Sequence, residues 1–278
     1  MVARPVMKLA LFGSPVENSL SPRIHQMFAD QCGLEIEYQA IEATEGNFRG
    51  KVASLAGGGG RGCNITTPLK RAAWELASSC SEGALRAHAA NTMVFYGATE
   101  WFADSTDGKG LVTDLLAIPD CHLHGARICL LGAGGAASSV LGALLHTGPE
   151  ALVVANRTLQ RADELAENHS DLGTIETCLP SALGTKMPFD VIINATSLGH
   201  SGKVPEMSPS WLQPDGICYD MNYGQAAEPL RTYCAQEDIS YSDGLGMLVE
   251  QAALSFRLWT GQIPDSGAAL KQLRAAAG

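Results

Sequence analysis

The chain predicts a two-domain α/β protein in which a mainly parallel sheet forms the first half and a doubly wound parallel sheet the second. Three observations predict it. Its 278 residues are about twice an ordinary domain length. Short apolar runs alternate with helical patterns along the whole chain. A Gly132-Ala133-Gly134-Gly135-Ala136-Ala137 turn directly follows one apolar run and opens a helix.

Taken in order, the first third predicts strands at 8–12, 37–41 and 63–65 and helices at 22–31, 47–55 and 68–77. Ser21 before Pro22 and Thr67 before Pro68 each read as a hydroxyl cap with proline at the first helical position. A glycine run at 57–60 breaks the second helix from the third strand. Segments 92–96 and 101–103 flank Gly97-Ala98-Thr99-Glu100 and read as a hairpin. The start of one antiparallel strand lies beside the end of the other, so Asn91 and Asp107 are expected as neighbours. Strand-to-helix turns of a parallel sheet gather at one rim, which collects Ser19, Ser21, Thr66 and Lys70 there.

A helix at 108–117 and an Ile118-Pro119-Asp120 linker lead into the second series. This predicts strand 127–131, helix 135–147, strand 151–155, helix 159–168 and strands 189–194, 217–221 and 239–242. A helix at 247–259 and a last one beyond Pro264-Asp265 close the chain. No internal repeat is present.

Composition excludes several function classes. Hydrophobic residues make up 46% and charged ones 17%, the balance of a globular protein. The 29 acidic residues against 19 basic ones give a charge of -10, which would repel a phosphate backbone, so no nucleic-acid partner is expected. The 8 cysteines form no CxxC pair and several lie in apolar runs. They read as reduced core thiols in a cytoplasmic protein, with metal ligation or disulfides as the lesser alternative, and no metal site is expected. Arg4 and Lys8 precede an apolar run too short for a signal peptide. Glycines and serines break the most apolar long stretch, 128–145, so no membrane span is expected.

The glycine turn has a division of labour. Gly132 allows the tight turn, Gly134 lets the backbone approach a pyrophosphate, and Ala137 allows close helix packing. Taken alone, the same pattern also fits a glycine-rich turn of no function. The next strand ends in Asn156-Arg157-Thr158, where an NAD enzyme would place an acid for the ribose hydroxyls. A neutral residue followed by arginine favours a 2'-phosphate, hence NADP, because guanidinium matches phosphate as a planar fork of donors. A solvated loop charge is the bland alternative for Arg157. Asn194-Ala195-Thr196-Ser197 ends another strand at this rim, bordering a cofactor or simply capping backbone groups.

Lys70 lies in a first helical turn, where the dipole disfavours ammonium, so helix stability does not explain it. Asp107 is its natural counter-charge, with an N-cap role as its alternative. A nearby carboxylate would favour ammonium against both the dipole and desolvation. Together the two form a pair able to handle the proton that accompanies a hydride.

In order along nearly its whole length, the chain resembles the shikimate dehydrogenase family. The matching stretches are Ser19-Leu20-Ser21-Pro22-Arg23-Ile24-His25, Asn64-Ile65-Thr66-Thr67-Pro68-Leu69-Lys70, Ala90-Asn91-Thr92, Thr106-Asp107-Gly108, the turn at 132–137, Asn156-Arg157-Thr158, Asn194-Ala195-Thr196-Ser197, Tyr219-Asp220-Met221 and the run at 243–253. The resemblance implies reversible NADPH-dependent reduction of 3-dehydroshikimate to shikimate on the route to aromatic amino acids. It implies Lys70 and Asp107 as the proton-handling pair, with Lys70 either donating the proton or stabilising negative charge. Ser19 and Ser21 are implied for the substrate carboxylate with Tyr223 nearby, and Thr66, Asn91 and Gln251 for the ring hydroxyls.

Cofactor contacts are implied at Gly132, Ala133, Gly134, Gly135, Ala136, Asn156, Arg157, Thr158, Thr196, Ser197, Gly244 and Met247. The implied division is a substrate domain at 1–107 completed by 246–278, and a Rossmann-type NADP domain at 108–245. The last helices return to the first domain, and the active site is a cleft between domains that opens and closes. A small-molecule substrate and a monomer or homodimer complete the expectation. Ser105, Gln26 and His200 depart from the family pattern, and His200 reads as a solvent-facing loop residue. The rival readings are a quinate or dual-substrate enzyme using NAD and a non-catalytic dinucleotide sensor; intact Lys70 and Asp107 argue against the sensor.

Overall fold

The computed structural model describes residues 6–186 and 188–277, so Arg4 lies outside it. The chain divides into two compact units, Met1–Gly110 with Val249–Gly278 and Leu111–Leu248.

The first unit contains β1 (Met7–Gly13), α1 (Ser21–Cys32), β2 (Ile36–Glu42), α2 (Glu45–Gly57), β3 (Gly62–Ile65), α3 (Lys70–Leu76), β4 (Ser79–Cys80), α4 (Glu82–Ala87), β5 (Thr92–Phe95), β6 (Trp101–Asp104) and the start of α5 (Asp107–Ala117). Its sheet runs β2-β1-β3-β5-β6-β4. β1 pairs in parallel with β2 and β3, and β5 is antiparallel to both β3 and β6. Alternate residues of β1 face opposite ways: Ala10 and Phe12 enter a core with Phe48, Leu69 and Met93, while Leu9 meets Val94 and Trp259 on the other face.

The second unit adds β7 (Arg127–Leu131), α6 (Gly135–His146), β8 (Ala151–Ala155), α7 (Leu159–Glu167), β9 (Glu176–Cys178), β10 (Phe189–Asn194), β11 (Leu212–Asp220), α8 (Glu228–Gln236) and β12 (Ser240–Asp243). Its sheet is parallel throughout, in the order β12-β11-β10-β7-β8-β9. Ile128, Leu130, Val154 and Ile193 enter one core, and Cys129, Leu131, Val153 and Ile192 the other. Covering on both faces explains why these strands read as unbroken apolar runs. Inside this unit the buried Tyr219 hydroxyl donates to Asp114 Oδ2 at 2.6 Å.

α9 (Leu245–Thr260) begins in the second unit and continues in the first, where α10 (Ser266–Ala277) also lies. Trp259 Nε1 donates to Met93 O (2.9 Å), and Asp265 N to Gln31 Oε1 (2.9 Å). The expected return of the last helices to the first domain is therefore present.

The hydroxyl caps are not. Ser21 is the first residue of α1 after a Leu20 cap, and its amide donates to Ser19 Oγ at 3.2 Å. The Thr67–Pro68 bond is cis and precedes α3, whose cap is Leu69. A hydroxyl before proline marked each helix start to within a few residues but did not itself bond the first turn. β4, α4, β9 and α8 were not expected. The first three run two, six and three residues, too short for a period to register. All eight cysteines are free. Among the described residues no helix is long and apolar enough to cross a membrane.

His25, fully buried in α1, stacks on Tyr38 with ring centroids 4.5 Å apart. Its Nε2 faces Asn64 Oδ1 at 3.0 Å. An amide oxygen only accepts, so Nε2 carries the proton. Burial lowers the imidazole to about 3 from 6.5, against the hydrogen bond to Asn64, which raises it. The folded value is the lower one, so the unfolded chain takes up a proton first. This contribution is complete above about 6.5 and is lost at ~1.4 kcal/mol per pH unit below it, down to about 3. His25→Phe should flatten the pH dependence of urea unfolding between about pH 6 and pH 4 by one proton. Parallel profiles for the two proteins would refute it.

Candidate active site

Four segments of the first unit bring polar side chains together. Lys70 opens α3, Asn91 precedes β5, Asp107 opens α5, and Gln251 lies on α9. Lys70 Nζ donates to Asp107 Oδ2 at 2.6 Å, with side-chain exposures of 22% and 7%. The carboxylate is thus enclosed while the amine stays reachable. Removing the amine would strand the buried Asp107 charge, which costs about 3–5 kcal/mol.

Asn91 braces the other side of the pair. Its Oδ1 accepts from Thr106 N at 2.9 Å, a group that only donates, which fixes the amide's orientation. Nδ2 then faces Asp107 Oδ1 (2.9 Å), Gln251 Oε1 (2.9 Å) and Thr106 Oγ1 (2.8 Å). Two hydrogens serve these acceptors, so an arriving substrate hydroxyl can exchange with one of them. Asn91 and Asp107 are neighbours as the hairpin geometry required. Ser19 Oγ donates to Ser21 Oγ at 3.2 Å. Thr66 is part-exposed, follows β3, and lies outside the hydrogen-bonded group of Lys70, Asn91, Asp107 and Gln251.

Sequence reasoning missed Thr106, Thr92 and Ser255 as parts of this cluster. Ser255 Oγ donates to Gln251 O at 3.0 Å and lies 2.7 Å from Thr92 Oγ1. The signal for Ser255 was its i,i+4 spacing from Gln251, which puts both on one helix face.

In the second unit, β7 ends at the glycine turn. Gly132 has φ +109°, open to glycine, and a Cβ there would come within 3.2 Å of Ala195 O and 3.3 Å of Thr196 Cγ2. Thr196 therefore borders the turn, while its hydroxyl donates to Asn194 Oδ1 at 2.7 Å. A Cβ at Gly134 or Gly135 would meet nothing within 4 Å. Among the described residues no side chain caps α6, so its first amides stand beside open room. That arrangement fits a pyrophosphate.

Ala133 and Ala136 flank these glycines, and Ala137 is buried against β7 and β8 residues. Past β8, the Asn156 side chain donates to Thr158 O at 2.8 Å, and exposed Arg157 has no ion pair among the described residues. A 2'-phosphate could thus meet an uncommitted guanidinium. Ser197 and His200 are exposed. Gly244 N donates to Asn222 O at 2.9 Å, and Met247 is buried in the core beside Met221. Tyr223 belongs to this unit, and burial pushes its phenol up. Burial also pushes up the Asp220 carboxyl, although Asn194 and Asn222 donate to it.

A parallel sheet offering bare helix amides to a dinucleotide, and a separate reachable amine held by a carboxylate, divide labour as nicotinamide-dependent dehydrogenases do. Residues 11–93 match the shikimate dehydrogenase substrate binding domain, 116–202 shikimate / quinate 5-dehydrogenase, and 244–274 the shikimate 5'-dehydrogenase C-terminal domain. The NADP(+) shikimate dehydrogenase of Methylococcus capsulatus is 43% identical over 271 residues, 96% of each chain. The chain belongs to the shikimate dehydrogenase family. Among solved structures, an Ael1 enzyme from Pseudomonas putida superposes with TM-score 0.88 at 36% identity, covering 96% of this chain and 98% of that one. Shikimate 5-dehydrogenase from Thermus thermophilus, in complex with NADP(H) and shikimate, gives TM-score 0.82 at 30% identity, covering 98% and 100%.

Proposed function

We propose that the protein interconverts 3-dehydroshikimate and shikimate with NADPH and NADP as partners, within aromatic amino acid biosynthesis. The observation that carries this reading is the Lys70–Asp107 pair at 2.6 Å, braced by Asn91, in a chain 43% identical over 96% of its length to an NADP(+) shikimate dehydrogenase.

NADPH, when bound, supplies the hydride. The chain's own residues then bind and move the proton. Ser19 and Ser21 donate to the substrate carboxylate, and neutral donors suffice for one such anion. Thr66, Asn91, Asp107 and Gln251 take the ring hydroxyls. Lys70 Nζ commits one proton to Asp107 and keeps two others for substrate. As negative charge grows on the C3 carbonyl oxygen, Lys70 donates a proton to it, and in the oxidation direction Lys70 takes that proton back. Gly132, Gly134 and the first amides of α6 hold the pyrophosphate, and Arg157 the 2'-phosphate.

Purified protein offered shikimate or quinate, each with NADP+ or NAD+, tests the reading by absorbance at the nicotinamide band. Shikimate with NADP+ should give the highest kcat/KM. Silence with all four pairs would overturn it.

A further inference from the structure

One buried amide outside the catalytic pair touches most of the scaffold behind it. Asn64, in β3, is 4% exposed. Its Nδ2 donates to Asn91 O (3.1 Å), Thr92 Oγ1 (3.2 Å) and Ser255 Oγ (3.0 Å). Its Oδ1 accepts from Tyr38 OH (2.8 Å) and His25 Nε2 (3.0 Å). A backbone carbonyl such as Asn91 O only accepts, so the nitrogen must face it and the oxygen must face Tyr38 and His25. Carboxylate at this position could not donate to Asn91 O, and an aliphatic side chain would leave the buried His25 Nε2 proton without its acceptor.

The contacts run on to the chemistry. Thr92 Oγ1 donates to Asn91 Oδ1 at 3.1 Å, and Asn91 Nδ2 donates to Asp107 Oδ1 at 2.9 Å. Asp107 holds Lys70 through its other oxygen. Asn64 thus grips the Asn91 backbone directly and the Asn91 side chain through Thr92. Stacked His25 and Tyr38 anchor Asn64 from behind.

We propose that Asn64 is a positioning residue for the dehydrogenase reaction: it fixes Asn91, and through Asn91 the oxygen of Asp107 that orients Lys70. This rests on the proposed function. Misplacement of a reacting group by about 1 Å can cost on the order of 10²-fold in rate, so the loss of Asn64 should be read in turnover. A residue that only held the fold together would lower the folded fraction and leave the turnover of folded enzyme alone.

The test is a double-mutant cycle on full-length enzyme, with rates normalised to NADPH-binding sites counted by fluorescence titration. Asn64→Leu in the wild-type background should lower kcat by about 10–100-fold and leave the NADPH dissociation constant unchanged. In a Lys70→Ala background the same change should lower the residual kcat by less than about twofold, since the amine it positions is gone. Thr92→Val, which keeps shape and deletes only the hydroxyl, should repeat the pattern at smaller amplitude and stands in if Asn64→Leu fails to fold. Equal fold losses in both backgrounds, or unchanged kcat per binding site, would overturn the proposal. A wild-type enzyme inactive on shikimate would instead remove the proposed function itself.

Discussion

Lys70→Ala should lower kcat by roughly 10²–10⁴-fold, the usual worth of a positioned general acid or base, while NADPH binds as tightly as before. The amine lies in the first unit and the glycine turn and Arg157 belong to the second, so its loss leaves the proposed cofactor contacts intact. It also leaves Asp107 Oδ2, at 7% side-chain exposure, without its cation. Some loss of stability therefore accompanies the kinetic loss, and rates belong per binding site. Adding small primary amines to the variant separates two roles for Lys70. Rescue that rises with ammonium acidity indicates proton transfer, whereas rescue that follows only amine size and charge indicates charge stabilisation. Equal losses in kcat and NADPH affinity would contradict the assignment.

Arg157→Asp should invert cofactor preference. A charged hydrogen-bonded contact is worth about 1.5–3 kcal/mol, so KM for NADPH should rise at least ~10–100-fold while KM for NADH holds steady or falls. Arg157 is exposed and has no ion pair among the described residues, so its removal disturbs no packing. Initial-rate kinetics with both reduced cofactors at a fixed 3-dehydroshikimate concentration would read the effect. Parallel rises for NADPH and NADH would show that Arg157 does not meet the 2'-phosphate.

Much of this machinery was legible because it is local. The strands at Arg127–Leu131, Ala151–Ala155 and Phe189–Asn194 have the bounds their apolar runs predict, since each is buried on both faces and bounded by turn residues. Asn91 beside Asp107 followed from hairpin geometry alone. The helix starts at Ser21 and Lys70 show the limit of a local rule. Serine and threonine before proline marked a turn, but Leu20 and Leu69 occupy the cap positions, because the backbone enters each helix one or two residues away from the hydroxyl.

By itself the sequence determined the alternation of strands and helices, the bare-amide turn at Gly132, and an amine and a carboxylate at positions where helices begin. Each follows from spacing over a few residues. Only the tertiary structure decided what stands behind that pair. Asn64 meets Ser255 across 191 positions, and Asn91 meets Gln251 across 160. The physical reason is that a buried amide must find its partners wherever the packed chain supplies them, and no periodicity in the sequence records which they will be.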